Sequence, residues 1–207
     1  SYIESCWWAI KQMWDKGLIY QGYKVTPHCP RCGTSLSSHE VALGYKDDTV
    51  DPSVYIKFRI LKLPDEVAAA MLGHLTVGDI VKKGKAFFLA WTTTPWTLPG
   101  NTSLALAADA DYGVLEYNGD YLIFACALID QAGLGDRQVL KTFKGRELAG
   151  SLYEPLFNPH VFKVERKRAK PGAAGEFEVQ KPDPELAYKV ITADFVSMED
   201  GTGIVHI

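Results

Sequence analysis

The stretch Trp91–Asn101 reads WTTTPWTLPGN and follows the apolar run Ala86–Ala90, AFFLA. The run predicts a buried strand over Lys85 to Trp91, and the stretch after it is where that strand must stop. Pro95 disfavours a helical conformation at Thr94 and fixes the direction of the chain. Pro99-Gly100 turns it again. Thr92, Thr93 and Thr94 therefore stand at a strand end, where backbone groups leave the ladder and binding sites concentrate. Three hydroxyls in a row, each a donor and an acceptor, form either a polar pocket rim or a structural turn. Trp91 and Trp96 bracket them, available to stack on a base or to pack in the core.

Working outward, the segments around this turn read as short strands. Val54, Ile56, Phe58 and Ile60 alternate with polar neighbours, a half-buried strand. YGVLEYNGDYLIFACAL places two strands around Asn118-Gly119, a two-residue hairpin signal. Val139 to Phe143, Tyr188 to Val196 and Gly203 to Ile207 supply further strands. Pro64 to Leu72 (PDEVAAAML) reads as a short helix stopped by Gly73. The fold class expected is mainly β with short helices, a closed barrel or sandwich. Residues 163–184 carry Lys163, Arg166, Lys167, Arg168, Lys170 and Lys181 among prolines and glycines. That segment is a solvated hairpin tip or an arm that touches a phosphate backbone.

Residues 1–16 differ. Ile3, Trp7, Ile10 and Trp14 form one apolar stripe at helical spacing, and Gly17 offers a stop. The Trp7-Trp8 pair on this helix is expected to pack in a core and against a partner surface. A short strand from Leu18 to Tyr23 leads into Cys29-Pro30-Arg31-Cys32-Gly33, the knuckle turn of zinc ribbons, whose backbone N–H groups aim at a thiolate. Cys29 and Cys32 supply two ligands where a structural zinc takes four, so zinc is expected as a half-site, the alternative being two free surface thiols. His28 adjoins Cys29 too closely to share a tetrahedral site, and Cys126 is remote.

The 207 residues are 47% hydrophobic and 23% charged, with a net charge of -3. No global field draws the chain to nucleic acid. The four cysteines do not suggest a disulfide scaffold in a chain this long, which points to a reducing compartment. No apolar run approaches the ~20 residues of a membrane span. The chain begins without Met and stops inside an apolar run, which suggests a piece of a longer protein.

WTTTPWTLPGN resembles the threonine-rich signature of the editing domain, or connective peptide 1, of isoleucyl-tRNA synthetase. The related valine and leucine stretches carry Arg after the Thr pair and an acidic residue after the Pro, where this chain has Thr94 and Trp96. CPRCGTSLSSHEVALGYKD (Cys29–Asp47) resembles the zinc-knuckle entry to that domain, DPSVYIKF (Asp51–Phe58) its first strand, and EDGTGIVHI (Glu199–Ile207) the segment with a pocket histidine. The resemblance implies a β-barrel editing domain over 46–207, cut short at its C-terminal end. Residues 1–45 would be the tail of a Rossmann-side segment plus the zinc knuckle. It implies hydrolysis of the ester of misacylated Val-tRNA(Ile), in the cytoplasm, within a longer chain that ligates isoleucine to tRNA with ATP. No ATP site is expected in these residues, since no HIGH-like or KMSKS-like motif occurs.

The implied partners are the tRNA(Ile) 3′ end bearing valine and the rest of the synthetase, with no membrane. By the same resemblance Thr92, Thr93, Thr94 and His206 act on the ester and its water, and Trp91, Trp96, Asn101 and Gly203 bind substrate. His206 lines the amino-acid pocket and excludes isoleucine. The family continues from this histidine through Ala-Pro-Ala-Phe-Gly to an aspartate that holds the α-amino group. A valine-enzyme editing domain, or a non-catalytic module that positions tRNA, are the alternatives.

Overall fold

A computed structural model describes residues 1–22, 24–42, 44, 50, 52–157, 161, 169–171, 177–179 and 187–207. Contacts divide the chain into two compact units, Ser1–Val50 and Asp51–Ile207.

The first unit opens with helix α1 (Tyr2–Asp15). Ser1 caps it: its hydroxyl accepts from the Glu4 N–H at 3.4 Å while the Glu4 carboxylate reaches back to the Ser1 nitrogen. The helix ends in a Schellman wrap. Gly17, at φ +69°, donates to the Trp14 carbonyl at 2.9 Å, and Leu18 donates to the Met13 carbonyl at 3.0 Å. The predicted strand from Leu18 is absent over 18–22, because this wrap takes the Leu18 N–H and, among the described residues, no strand pairs with the segment; Tyr23 lies outside the described residues. The apolar stripe is no core of this unit: α1 has no buried residue, and Trp7 is 66% exposed. Strands β1 (His28–Cys29) and β2 (Thr34–Ser35) pair antiparallel around the knuckle, followed by α2 (Ser38–Ala42).

The second unit is mainly β with short helices. Its first half holds β3 (Val54–Lys62), α3 (Asp65–Ala68), β4 (Met71–Leu72), β5 (Leu75–Thr76), α4 (Val77–Lys82), β6 (Ala86–Thr92) and a 3₁₀ helix, Pro95–Gly100. After it come β7 (Ser103–Leu106), β8 (Asp111–Tyr117), β9 (Asp120–Ala125), a 3₁₀ turn at Cys126–Leu128, β10 (Val139–Lys144), α5 (Gly145–Leu148) and β11 (Leu152–Tyr153). The last strands are β12 (Ala169–Pro171), β13 (Phe177–Val179), β14 (Lys189–Thr192) and β15 (Ile204–His206).

The helix expected over 64–72 stops at Ala68. Gly73, at φ +67°, turns Met71–Leu72 back onto Leu75–Thr76 as a small hairpin. The Thr76 side chain then caps α4, a helix not expected from the sequence. The Asn118-Gly119 turn carries positive φ at both residues, 53° and 81°, as a type I′ hairpin requires, and joins β8 to β9 in register Tyr117↔Asp120. Most of the basic segment 163–184 lies outside the described residues, apart from the β12–β13 ladder, where Ala169 pairs with Val179.

Nine strands form one sheet in the order β10-β8-β9-β6-β3-β11-β14-β7-β15. The expected barrel closure is not seen: among the described residues no ladder joins β10 to β15. The sheet instead coils on itself, and its far edge is fastened by the turn before β15. Ala125 N–H donates to the Thr202 carbonyl at 2.9 Å, and the buried Tyr112 hydroxyl donates to the Gly203 carbonyl at 2.7 Å. A three-residue edge strand reached through a glycine turn is too short to offer a full ladder, so single backbone bonds make the junction.

The core lies inside this coil, with Phe58, Phe88, Leu104, Leu106, Ile123 and Phe124 fully buried. Burying side chains of this size contributes about 1.5–3 kcal/mol each. Burial on β3 alternates from Ile56 to Ile60, while β6 is buried on both faces from Phe88 to Ala90. Among the described residues no helix is long and apolar enough to cross a membrane.

Candidate functional site

The end of β6, the 3₁₀ helix after it and β15 meet around two clefts. Thr92 is the last residue of β6, paired with Val54 of β3, and is buried. Its hydroxyl oxygen accepts the Thr94 N–H at 3.1 Å and lies 3.2 Å from the Thr94 hydroxyl. That local bond replaces the ladder at the strand end. Pro95 then occupies the first position of the 3₁₀ helix, where its missing N–H costs nothing. The Thr94 carbonyl accepts both the Thr97 N–H at 3.1 Å and the Thr97 hydroxyl at 2.7 Å. The Thr97 oxygen in turn lies 3.2 Å from Nε2 of His206. Two hydroxyl contacts, Thr92 with Thr94 and Thr97 with His206, thus lie between the strand end and the histidine, joined through the Thr94 backbone.

His206 is brought there by β15, which runs antiparallel to β7 with His206 opposite Leu104. Asn101 fastens the two from below: its amide donates to the carbonyls of Ser103 at 2.9 Å and Ile207 at 3.1 Å, and its oxygen accepts the Tyr153 hydroxyl at 2.8 Å. Burial lowers the His206 pKa from its ordinary value, so the ring is neutral at neutral pH. Its Nδ1 is buried and has no hydrogen-bond partner among the described residues.

The larger cleft measures 490 Å³ and is walled by Trp91, Thr92, Thr94, Thr97, Val205 and His206. The smaller, 260 Å³, shares Trp91, Thr92 and Val205 and adds Thr93, Phe195, Asp200 and Gly203. So the structure gathers Trp91, Thr92, Thr94 and His206 in one cleft and turns Thr93 and Gly203 toward the other. Trp96 is 73% exposed and lines neither. Asn101 lies beneath the site as a tie rather than on its wall. Trp91 is held by backbone: a Cβ on Gly201 would come within 2.9 Å of its ring. Thr97, Val205, Phe195 and Asp200 were not anticipated from the sequence. The signal for Thr97 was its position three residues after Thr94 in a proline-started turn.

Cys29 and Cys32 belong to the first unit. The Cys32 N–H points at the Cys29 sulfur at 3.4 Å, and this backbone bond holds the Cys29 thiol below its ordinary pKa. The Cys32 thiol is raised by its bond with the Cys29 side chain. Gly33 takes φ +66° and donates to the Cys29 carbonyl at 2.8 Å. This geometry suits a thiolate ligand, and two sulfurs are half of a tetrahedral set. Among the described residues no three His, Cys, Asp or Glu side chains are grouped to hold a metal.

A family model described as tRNA synthetases class I (I, L, M and V) matches residues 1–204. The chain belongs to this family. Within it, the chain is 49% identical over 205 residues to the isoleucine–tRNA ligase of Dehalococcoides mccartyi strain CBDB1, a match covering 99% of this chain. The isoleucine–tRNA ligase of Picrophilus torridus is 40% identical over 208 residues, again 99% of this chain. The chain spans only 19% of the length of the first relative and 16% of the second. Among solved structures, the cytosolic leucyl-tRNA synthetase editing domain of P. knowlesi superposes with a TM-score of 0.51 at 13% identity, covering 78% of this chain and 60% of that one. At that identity the likeness is one of fold.

Proposed function

We propose that this chain is the editing domain of an isoleucyl-tRNA synthetase and hydrolyses the ester of valine misattached to the 3′ end of tRNA(Ile). The observation that carries the proposal is the 490 Å³ cleft lined by Thr92, Thr94, Thr97 and His206, in which the Thr92 and Thr94 hydroxyls meet at 3.2 Å and the Thr97 hydroxyl, held by the Thr94 carbonyl, faces the histidine. The volume lies in the range of small-ligand pockets. The chemistry asked of it is modest. An aminoacyl ester is already activated, so the site needs no covalent nucleophile. It must hold the ester, place a water about 3 Å from the carbonyl carbon and offer donors to the oxyanion. Threonine hydroxyls both accept from water and donate to developing charge. Trp91, Val205 and the neutral His206 ring form the apolar wall that would measure the side chain.

The need for such a site is energetic. One methylene in an apolar pocket discriminates by only about 1–3 kcal/mol, a magnitude established on this family's own choice between isoleucine and valine. The synthetase of which this domain would be a part ligates isoleucine to tRNA with ATP in the cytoplasm. Cys29 and Cys32 would contribute two thiolates to a structural zinc, tying down the knuckle.

The test is deacylation of Val-tRNA(Ile) by the full synthetase carrying this chain, with Thr94→Ala and His206→Ala. Each variant is expected to lose about 10- to 100-fold in kcat, or about 1.4–2.7 kcal/mol of transition-state stabilisation. Isoleucine ligation should be unaffected by Thr94→Ala, whereas His206→Ala, which opens the measuring wall, should gain hydrolysis of Ile-tRNA(Ile). Unchanged deacylation in both variants sinks the assignment. A preference for the threonyl ester would instead indicate a valine enzyme, and tRNA binding without hydrolysis a positioning module.

A further inference from the structure

We propose that Thr97 is a positioning residue that locks His206 as its neutral Nε2–H tautomer. The argument follows from counting protons. The Thr97 hydroxyl has one proton, and at 2.7 Å it is donated to the Thr94 carbonyl, a group that can only accept. The oxygen then faces Nε2 at 3.2 Å with only lone pairs to offer. The bond forms only when Nε2 carries the hydrogen. The turn holds the hydroxyl in that direction, because the same carbonyl also binds the Thr97 N–H at 3.1 Å.

The other nitrogen completes the arrangement. Nδ1 is buried and has no hydrogen-bond partner among the described residues, so a proton there would be an unsatisfied buried donor. The side chains lining the cleft around the ring are Trp91, Thr92, Thr94, Thr97, Val205 and Ile207, none of them ionisable, and the residue opposite on β7 is Leu104. Burial is accordingly the single cause that shifts the ring's titration, and it shifts it downward.

The consequence deepens the proposed editing reaction and rests on that reading. Nε2 has its hydrogen engaged and Nδ1 has no access to the cleft, so neither nitrogen can take a proton from a hydrolytic water. His206 acts as a rigid neutral wall and not as a general base. Thr97 decides this without itself having to touch substrate.

The tautomer is measured independently of any activity, by long-range ¹H–¹⁵N correlation on the 207-residue chain with labelled histidine, His206 being assigned through His206→Gln. Wild type and Thr97→Ser are expected to show one protonated Nε2 and one bare Nδ1. In Thr97→Val the Nε2–H to Nδ1–H ratio should fall roughly fivefold, about 1 kcal/mol, the net worth of one neutral hydrogen bond. Thr97→Ala repeats the test with no added bulk at the position. A predominant Nδ1–H form in wild type, or an unchanged ratio in both Thr97→Val and Thr97→Ala, overturns the proposal. If the tautomer is as stated but Val-tRNA(Ile) is not hydrolysed, the editing reading fails and the tautomer lock stands.

Discussion

Replacing Gly203 by alanine tests the junction that coils the sheet. Gly203 has φ +66°, and a Cβ there would lie 2.5 Å from the Ala125 Cβ and 2.9 Å from the Met198 Cε. Met198 is flexible and can move aside. Ala125 cannot: it is fully buried on β9, paired with Tyr112, and its N–H holds the Thr202 carbonyl. Two terms therefore add. A left-handed backbone costs a non-glycine residue about 1–2 kcal/mol. Carbon atoms prefer about 3.5–4 Å, so the strands must part by about 1 Å, an overpacking worth about 1–3 kcal/mol. The expected loss is about 2–5 kcal/mol, read from urea denaturation by linear extrapolation. Gly73→Ala separates the terms, because Gly73 has φ +67° but nothing within 4 Å of its Cβ position. It should lose only the conformational part. A Gly203→Ala variant no less stable than Gly73→Ala would refute the claim that β15 is fastened against β9 by close backbone approach.

Two further perturbations probe the same region. Tyr112→Phe removes a buried hydroxyl, with its pKa pushed up to about 12, that accepts from the Ala107 N–H at 2.9 Å and donates to the Gly203 carbonyl at 2.7 Å. Two backbone groups lose their partner, so urea denaturation should show a loss of about 2–4 kcal/mol; a change under about 0.5 kcal/mol would contradict the described bonds. The His206 pKa is depressed on folding, so the unfolded chain binds the proton more readily. Its contribution to stability is complete above the ordinary value of 6.5 and is lost as pH falls through the depressed folded value. From about pH 7 to about pH 5 the wild type should therefore lose more stability than His206→Gln in paired denaturation curves; equal losses would count against a buried neutral ring.

Much of this protein was legible because its signals are local. The Asn118-Gly119 hairpin followed from a dipeptide that accepts positive φ twice, and the Ser1-capped helix from a stripe and a glycine stop. The turn after β6 followed from two prolines, while the threonines at that turn, which the residues left as a pocket rim or a structural turn, line the clefts there. Where local signals were ambiguous, pairing decided. Met71–Leu72 continued a helical pattern in the sequence, yet the chain turned at Gly73 and gave those residues a strand partner. Leu18–Gly22 had strand-like residues but no strand partner among the described residues, and formed no strand.

What the tertiary structure alone decided is the meeting of distant segments. Thr97 and His206 are 109 residues apart, and only the β7–β15 pairing sets one hydroxyl against one imidazole nitrogen. Asn101 belonged to the same motif as the threonines, but its role as a tie to Ile207 and Tyr153 depends on strands far along the chain. Residue type and spacing specify which groups can hydrogen-bond and where a strand must end, because those are properties of a few adjacent dihedrals. Which hydroxyl faces which ring, and which nitrogen is buried, depends on the register and coiling of a nine-stranded sheet, a property of all its pairings at once.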